Sequence, residues 1–351
     1  MSAKSDRVVY LDILRIIACF LVVMVHISAQ NLLELQPSSS QFIIHSSYNT
    51  LAFSGVALFF MISGALILNP NRHYSIKSMV FKALHIYVIY FIWKFLYMIF
   101  DLIDAGGKLD GAFIKNSIIN LLSKTGYYHL WFLPAIAVIY LFVPVIKKSV
   151  ENDKKLCHYF IVVFFVLSVF ASTAFHFDFK FKYTVQDFYN LNDFSLFTGY
   201  LGFFVLGHYL NRYAESMNSV IRLVLYILGL VMIPASGFID SYLSKGIPGS
   251  MAMNTPFSLP SFVITLALFL FIQNNTSKKN SKLLGLLSAI TLGIYLIHPI
   301  FIVLCGKIGL EPGSFAAIIS IPVITVLVTL ASGLVAFVLS KIPVVNKLVK
   351  M

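Results

Sequence analysis

The chain has 351 residues, 59% hydrophobic and 11% charged, with a mean hydropathy of +0.87. Soluble domains run near ~25% charged, so a soluble globule, a disordered chain and a collagen-like repeat are all excluded. The 26 Lys and Arg against 14 Asp and Glu leave +12, a balance whose meaning depends on where along the chain the charges fall.

A spanning helix needs about 20 mostly apolar residues. Ten such runs stand out, at 8–29, 51–69, 83–100, 128–146, 156–175, 194–210, 223–239, 257–273, 283–304 and 314–340. They predict an all-α, polytopic membrane bundle that fills the chain as a single domain, 1–351. Turn-like punctuation separates them, as in Asn69-Pro70-Asn71, Gly106-Gly107 and Glu311-Pro312-Gly313. Lys4 and Arg7 precede the first run, but its apolar stretch is too long for a signal peptide and Asp12 and Arg15 interrupt it. It is expected to be a retained helix. Residues 111–126 place Ile114, Ile118, Leu121 and Leu122 at helical spacing, with Lys115 and Lys124 among them. Two readings are open there: a helix lying on the outer leaflet, or a short helix packed on the bundle.

With the N-terminus inside, 17 of the 26 Lys and Arg fall on inner segments and seven in outer loops. Nine acids fall in the outer loops. The positive-inside rule then puts both termini in the cytoplasm. The basic excess is a topology signal, with no nucleic acid implied. Cys19, Cys157 and Cys305 lie in or beside apolar runs, and no spacing of Cys and His suggests a metal.

Polar residues at membrane depth are costly, so function is sought among them. The first run carries Asp12, Arg15 and His26. Eleven residues at about 100° each end about 20° from a whole number of turns, so Arg15 and His26 share a face about 16 Å apart along the axis. Asp12 lies close to that face. Such a stripe must face the bundle interior or a wet cavity. Asp12 and Arg15 also read as a structural ion pair, and His26 as a satisfied buried histidine. The topology brings His129 and His298 to the outer half of the membrane with His26. Lys94, the one lysine deep in a span, is expected to snorkel to the outer surface. Ser63-Gly64 and Gly199, Gly202 and Gly207 suit close helix packing. With no evident nucleophile, a buried histidine suggests a general base acting on a substrate hydroxyl.

Four segments in order carry a resemblance. They are Arg15-x10-His26, Phe59-Phe60-Met61-Ile62-Ser63-Gly64, His129-Leu130-Trp131-Phe132-Leu133 and Tyr295-x-x-His298-Pro299. Together they resemble the acyltransferase type 3 family of integral membrane proteins. The resemblance covers essentially the whole chain. Its size suits the stand-alone members, of the enterobacterial common antigen O-acetyltransferase type. It implies transfer of an acyl group, commonly acetyl from acetyl-CoA, to a hydroxyl of a cell-surface or lipid-linked glycan, in a bacterial cytoplasmic membrane. Acyl-CoA would be a donor substrate, with no bound cofactor, and membrane lipid a partner. On this reading His26, Arg15 and Asp12 are the catalytic group. Ser63, His129, Trp131, Tyr295 and His298 would meet the acceptor. Transfer would be direct or pass through an acyl-enzyme. Arg15, Lys82 and His85 would meet the donor, although the family's Arg-x-x-Arg is here Lys82-Ala83-Leu84-His85. Two other classes compete: a transporter or flippase for a small molecule or glycan, and a membrane sensor. Little sign of broken helices favours the enzyme over the transporter.

Overall fold

The computed structural model describes residues 8–123, 126–191, 194–277 and 281–350, with 112 and 194–198 by backbone alone. Lys4, Arg7 and Lys124 lie outside the described residues. Among those described there is helix and no strand. The helices are α1 (Val9–Ser28), α2 (Ser40–Ile67), α3 (Ile76–Asp104), α4 (Gly111–Ser123), α5 (Phe132–Val150), α6 (Lys154–Phe164), α7 (Ala171–Ala174), α8 (Lys182–Leu191), α9 (Phe194–Tyr213), α10 (Ser219–Leu243), α11 (Leu259–Asn275), α12 (Lys282–Ala289), α13 (Thr291–Lys307), α14 (Ala317–Leu339) and the short α15 (Asn346–Val349). A π-helical stretch, Phe165–Phe170, joins α6 to α7.

Side-chain caps fix several starts. Ser75 accepts from the Ser78 amide, Asn218 from Val220 and Ser258 from Ser261, each using a polar residue to satisfy a first-turn donor. Pro260 follows Ser258 at the first turn of α11, where its missing amide costs nothing.

Every predicted run coincides with helix, but the spans are fewer than ten by length. Among the described residues seven helices are long and apolar enough to cross a bilayer, or eight if α12 and α13 make one bent span. The shortfall has local causes. α11 has 17 residues, α12 and α13 meet at a 54° bend, and α9 loses helical geometry at Gly199. The protein is a multi-pass membrane protein.

The described chain forms two compact units. One runs through Leu66 and resumes at Lys154; the other is Ile67–Asp153. In the first, α1 packs against α11, α12, α13 and α14. In α1 and α2, 67% and 72% of the apolar window is buried, against 17% in α10, so α1 and α2 form the centre and α10 the rim. A β-carbon on Gly64 would collide with the Phe204 carbonyl, and one on Gly207 with the Met61 backbone. Those glycines let α2 and α9 touch through their backbones, as expected of small residues. Gly199 differs: among the described residues a β-carbon there would meet nothing, and it marks the break in α9. The expected scarcity of broken helices is corrected by this break and by the α12–α13 bend.

α8 exposes a mixed set of residues, Thr184, Asp187 and Asn190 among them. Lys182, Gln186 and Tyr189 turn toward the protein, while Phe181 just before it and Val185, Phe188 and Leu191 within it stay exposed.

In the second unit α3 packs on α5, and α4 lies against α3. Ser117 of α4 is buried, and Ile114, Ile118, Ile119 and Leu122 are exposed. α4 therefore packs on the bundle and keeps an apolar side free. Lys94 does not snorkel. It is 2% exposed, and its Nζ donates to the Leu121 carbonyl at 2.8 Å, 5.7 Å from the Tyr90 ring. That carbonyl lies in the last turn of α4, at the negative end of its dipole, and it holds the ammonium inside.

Candidate functional site

At the N-terminal end of α1, Asp12 and Arg15 sit one turn apart, with Arg15 Nη1 3.5 Å from Asp12 Oδ1. That direct contact is long. The short bonds run through Ser288 of α12, whose Oγ donates to Asp12 Oδ1 at 2.6 Å and accepts from Arg15 Nη1 at 2.9 Å. The Asp12 side chain is 11% exposed and that of Arg15 30%. The ion pair is real, and it is tied to a second helix, α12, rather than isolated.

Farther along α1, His26 meets His298 of α13. The rings stack with centroids 5.2 Å apart and planes 23° apart. His298 is fully buried, whereas His26 is half-buried. The stripe predicted from helical periodicity therefore exists, and α12 and α13 cover it at both ends.

The Tyr295-x-x-His298-Pro299 segment has a backbone logic. Proline lacks an N–H, so Pro299 leaves the Tyr295 carbonyl without its usual helical donor. His298 Nδ1 fills the gap, donating to Tyr295 O at 2.7 Å and lying 3.2 Å from Ile294 O. In a neutral ring this puts the hydrogen on Nδ1 and the lone pair on Nε2. The Tyr295 ring lies 6.2 Å from that imidazole. Two imidazoles in ring contact offer a proton acceptor and a proton donor in one place. Ser63, half-buried on α2, belongs to the same unit but enters through the Gly64 crossing rather than a hydrogen bond to these rings.

Beyond His26, the C-terminal end of α1 is held by a buried polar network. Asn49 of α2 donates to the Val25 carbonyl at 2.9 Å and to Ser28 Oγ at 3.0 Å. His45 Nδ1 donates to the Ser28 carbonyl at 2.9 Å. One step away, Asp240 is fully buried near the end of α10. Its Oδ1 accepts from the Ala252 and Met253 amides, both at 2.7 Å. Its Oδ2 accepts from Ser46 Oγ at 2.5 Å and Asn254 Nδ2 at 2.8 Å. Asp240 counts among the nine outer-loop acids because the run 223–239 ends just before it, but it lies within α10 and is buried. The signal that could have found it is its place one turn before the end of a long helix, next to small residues.

The other predicted site residues lie in the second unit. His129 and Trp131 occupy the turn before α5, which starts at Phe132 rather than at 128. His129 is 1% exposed, with Tyr97, Tyr127 and Tyr128 rings at 5.1, 5.8 and 5.7 Å. Trp131 is 40% exposed. At the other end of α3, Lys82 Nζ sits 4.1 Å from the Tyr74 ring and His85 is exposed. Lys147 of α5 lies 6.0 Å from the same ring and donates to the carbonyls of Ile67 and Asn69.

The family's sequence pattern, described as "Acyltransferase domain" of type 3, matches residues 8–341. The chain belongs to this acyltransferase family. It is also similar to a protein of Staphylococcus aureus (strain Mu50 / ATCC 700699) named a probable poly-beta-1,6-N-acetyl-D-glucosamine export protein. The two are 21% identical over 302 residues, covering 82% of this chain and 81% of that one. No solved structure matches.

Proposed function

We propose that this protein is a membrane O-acyltransferase that moves an acyl group, acetyl in the first instance, from a cytoplasmic acyl-CoA to a hydroxyl of a surface polysaccharide. One observation carries the reading: the stacked His26–His298 pair lies on the same two walls, α1 and the α12–α13 pair, as the Asp12–Arg15–Ser288 cluster. The family match supports acyl transfer, and the name of the Staphylococcus relative supports an amino-sugar polymer as acceptor. The charge asymmetry of the sequence supports placing both termini and Arg15 on the cytoplasmic side of a bacterial plasma membrane.

In the proposed reaction His26 takes the proton of an acceptor hydroxyl. The oxygen attacks the thioester carbonyl, the new C–O bond forms, and the C–S bond breaks. The departing CoA thiolate takes the proton back from the imidazolium. His298 orients His26 by stacking. Arg15 meets the phosphates of the donor, and Lys82 and His85, in the second unit, are separate candidates for them. Ser63 and Tyr295 are assigned to the acceptor, and His129 and Trp131, in the second unit, are separate candidates for a sugar, Trp131 with an exposed ring.

The test is transfer of radiolabelled acetyl from acetyl-CoA to β-1,6-linked N-acetylglucosamine oligomers by the purified protein. Turnover is expected, and His26→Ala is expected to lower it about 10²- to 10⁴-fold with the protein still folded in the membrane. Unchanged turnover in that variant removes His26 from the chemistry. A second reading, polymer export, draws on the name of the relative and on the breaks at Gly199 and between α12 and α13. Vesicles that move the oligomer across the bilayer without acetylating it favour export; acetylation without movement favours the enzyme.

A further inference from the structure

Ser288 has no role in the reading above beyond its contacts, yet it sits where three elements meet. It lies two residues before Ile290, the residue between α12 and α13, where the chain turns by 54°. A hydroxyl has one proton and two lone pairs. Ser288 spends the proton on Asp12 Oδ1 at 2.6 Å, so a lone pair faces Arg15 Nη1 at 2.9 Å. Both bonds involve a charged partner and are correspondingly strong. The same residue's carbonyl accepts from Thr291 Oγ1 at 2.8 Å, on the first turn of α13. Thr291 in turn offers its carbonyl to Cys19 Sγ of α1 at 3.4 Å. α1 therefore grips the bend at two points, one of them at Asp12 and Arg15 and the other at Cys19. Seven residues beyond Thr291, α13 carries His298 against His26.

We propose that Ser288 is a positioning residue. It aims the Arg15 guanidinium at the anionic donor and locks the α12–α13 bend to α1, so that the donor-facing cation and the histidine pair are held by one hydroxyl. The donor half of this proposal rests on the acyl-CoA reading; the lock does not. Ser288→Ala removes the hydroxyl with almost no change in volume, and Ser288→Thr keeps it.

Two measurements on the full-length protein test the two halves. In the first, CoA binding to purified protein is expected to weaken about tenfold in Ser288→Ala, the effect of losing one charge-assisted bond. Ser288→Thr is expected to bind within about threefold of wild type. In turnover, the KM for acetyl-CoA should rise while the KM for the acceptor holds, a split that general loosening of the fold would not give. In the second, Cys19 is labelled by a small maleimide in a Cys157→Ser, Cys305→Ser background. In that background Ser288→Ala should label several-fold faster than the protein with Ser288 intact, and Ser288→Thr at the same rate as that protein. Equal CoA affinity and equal labelling in all three proteins overturns the proposal. Wild-type protein that binds no CoA defeats the donor reading instead, and the labelling result then decides the lock alone.

Discussion

The two ends of α1 are held in opposite styles. At its N-terminal end, among the described residues, the Ser288 hydroxyl joins one acid and one arginine, and the arginine side chain stays 30% exposed. At its C-terminal end Asn49 and His45 of α2 bond to Val25 and Ser28, and α2 is in turn tied through Ser46 to Asp240, which accepts four bonds, two of them from backbone amides. A buried network in which every donor is matched rigidifies its surroundings, whereas a partly exposed cluster keeps a charge available to a ligand. The difference teaches that α1 is anchored at one end and presented at the other, with His26 beside the anchor.

This contrast can be broken by removing each end in turn. Asp240→Ala should have the largest effect. It strands four donors in a buried site at about 1–3 kcal/mol each, enough to consume much of the ~5–15 kcal/mol that stabilises a domain. A steep loss of melting temperature and of monodisperse protein is expected; Asp12→Ala should cost far less by the same assay. Equal losses at both ends would erase the distinction. Asn49→Ala comes next. It frees one turn of α1 beside His26, and a loss of about 1–2 kcal/mol in denaturant or thermal stability is expected. Its turnover should fall with both KM values held, because the histidine moves while neither substrate contact is lost. Arg15→Lys should be smallest. It keeps the charge but loses the planar fork, so a several-fold rise in acetyl-CoA KM with unchanged melting temperature is the expected sign. A stability loss as large as that of Asn49→Ala would mean that Arg15 is a structural strut.

The membrane class, the ten apolar segments and the Arg15–His26 stripe were all legible from residue order, because hydropathy and the 3.6-residue period are local properties. The meeting of His26 with His298 was legible only as a shared level, since the ring contact depends on how α13 packs. Lys94 shows where local reasoning fails. Its length allows it to reach the interface, but a carbonyl at the end of α4, 27 residues later, captures it first. Ser288 and Asp240 were missed for a related reason. A serine in an apolar helix and an acid near a helix end are ordinary in sequence, and only the partners brought from 276 and 194 residues away make them special. The second helix also begins at Ser40, eleven residues before its apolar run, because its later polar residues His45, Ser46 and Asn49 are buried against α1 and α10 instead of facing water.

Pro299 has a further consequence. Enzymes that aim a histidine usually station a carboxylate behind it, and inside a bilayer that anion would carry a heavy solvation penalty. Here the orienting acceptor is a main-chain oxygen, released by an imino acid one position after the imidazole. The ring is steered by a neutral dipole, at no cost in buried charge. Replacing Pro299 with alanine would hand that oxygen back to the helix and leave His298 to compete for it, so the tautomer of a histidine is written in the neighbouring residue's missing hydrogen.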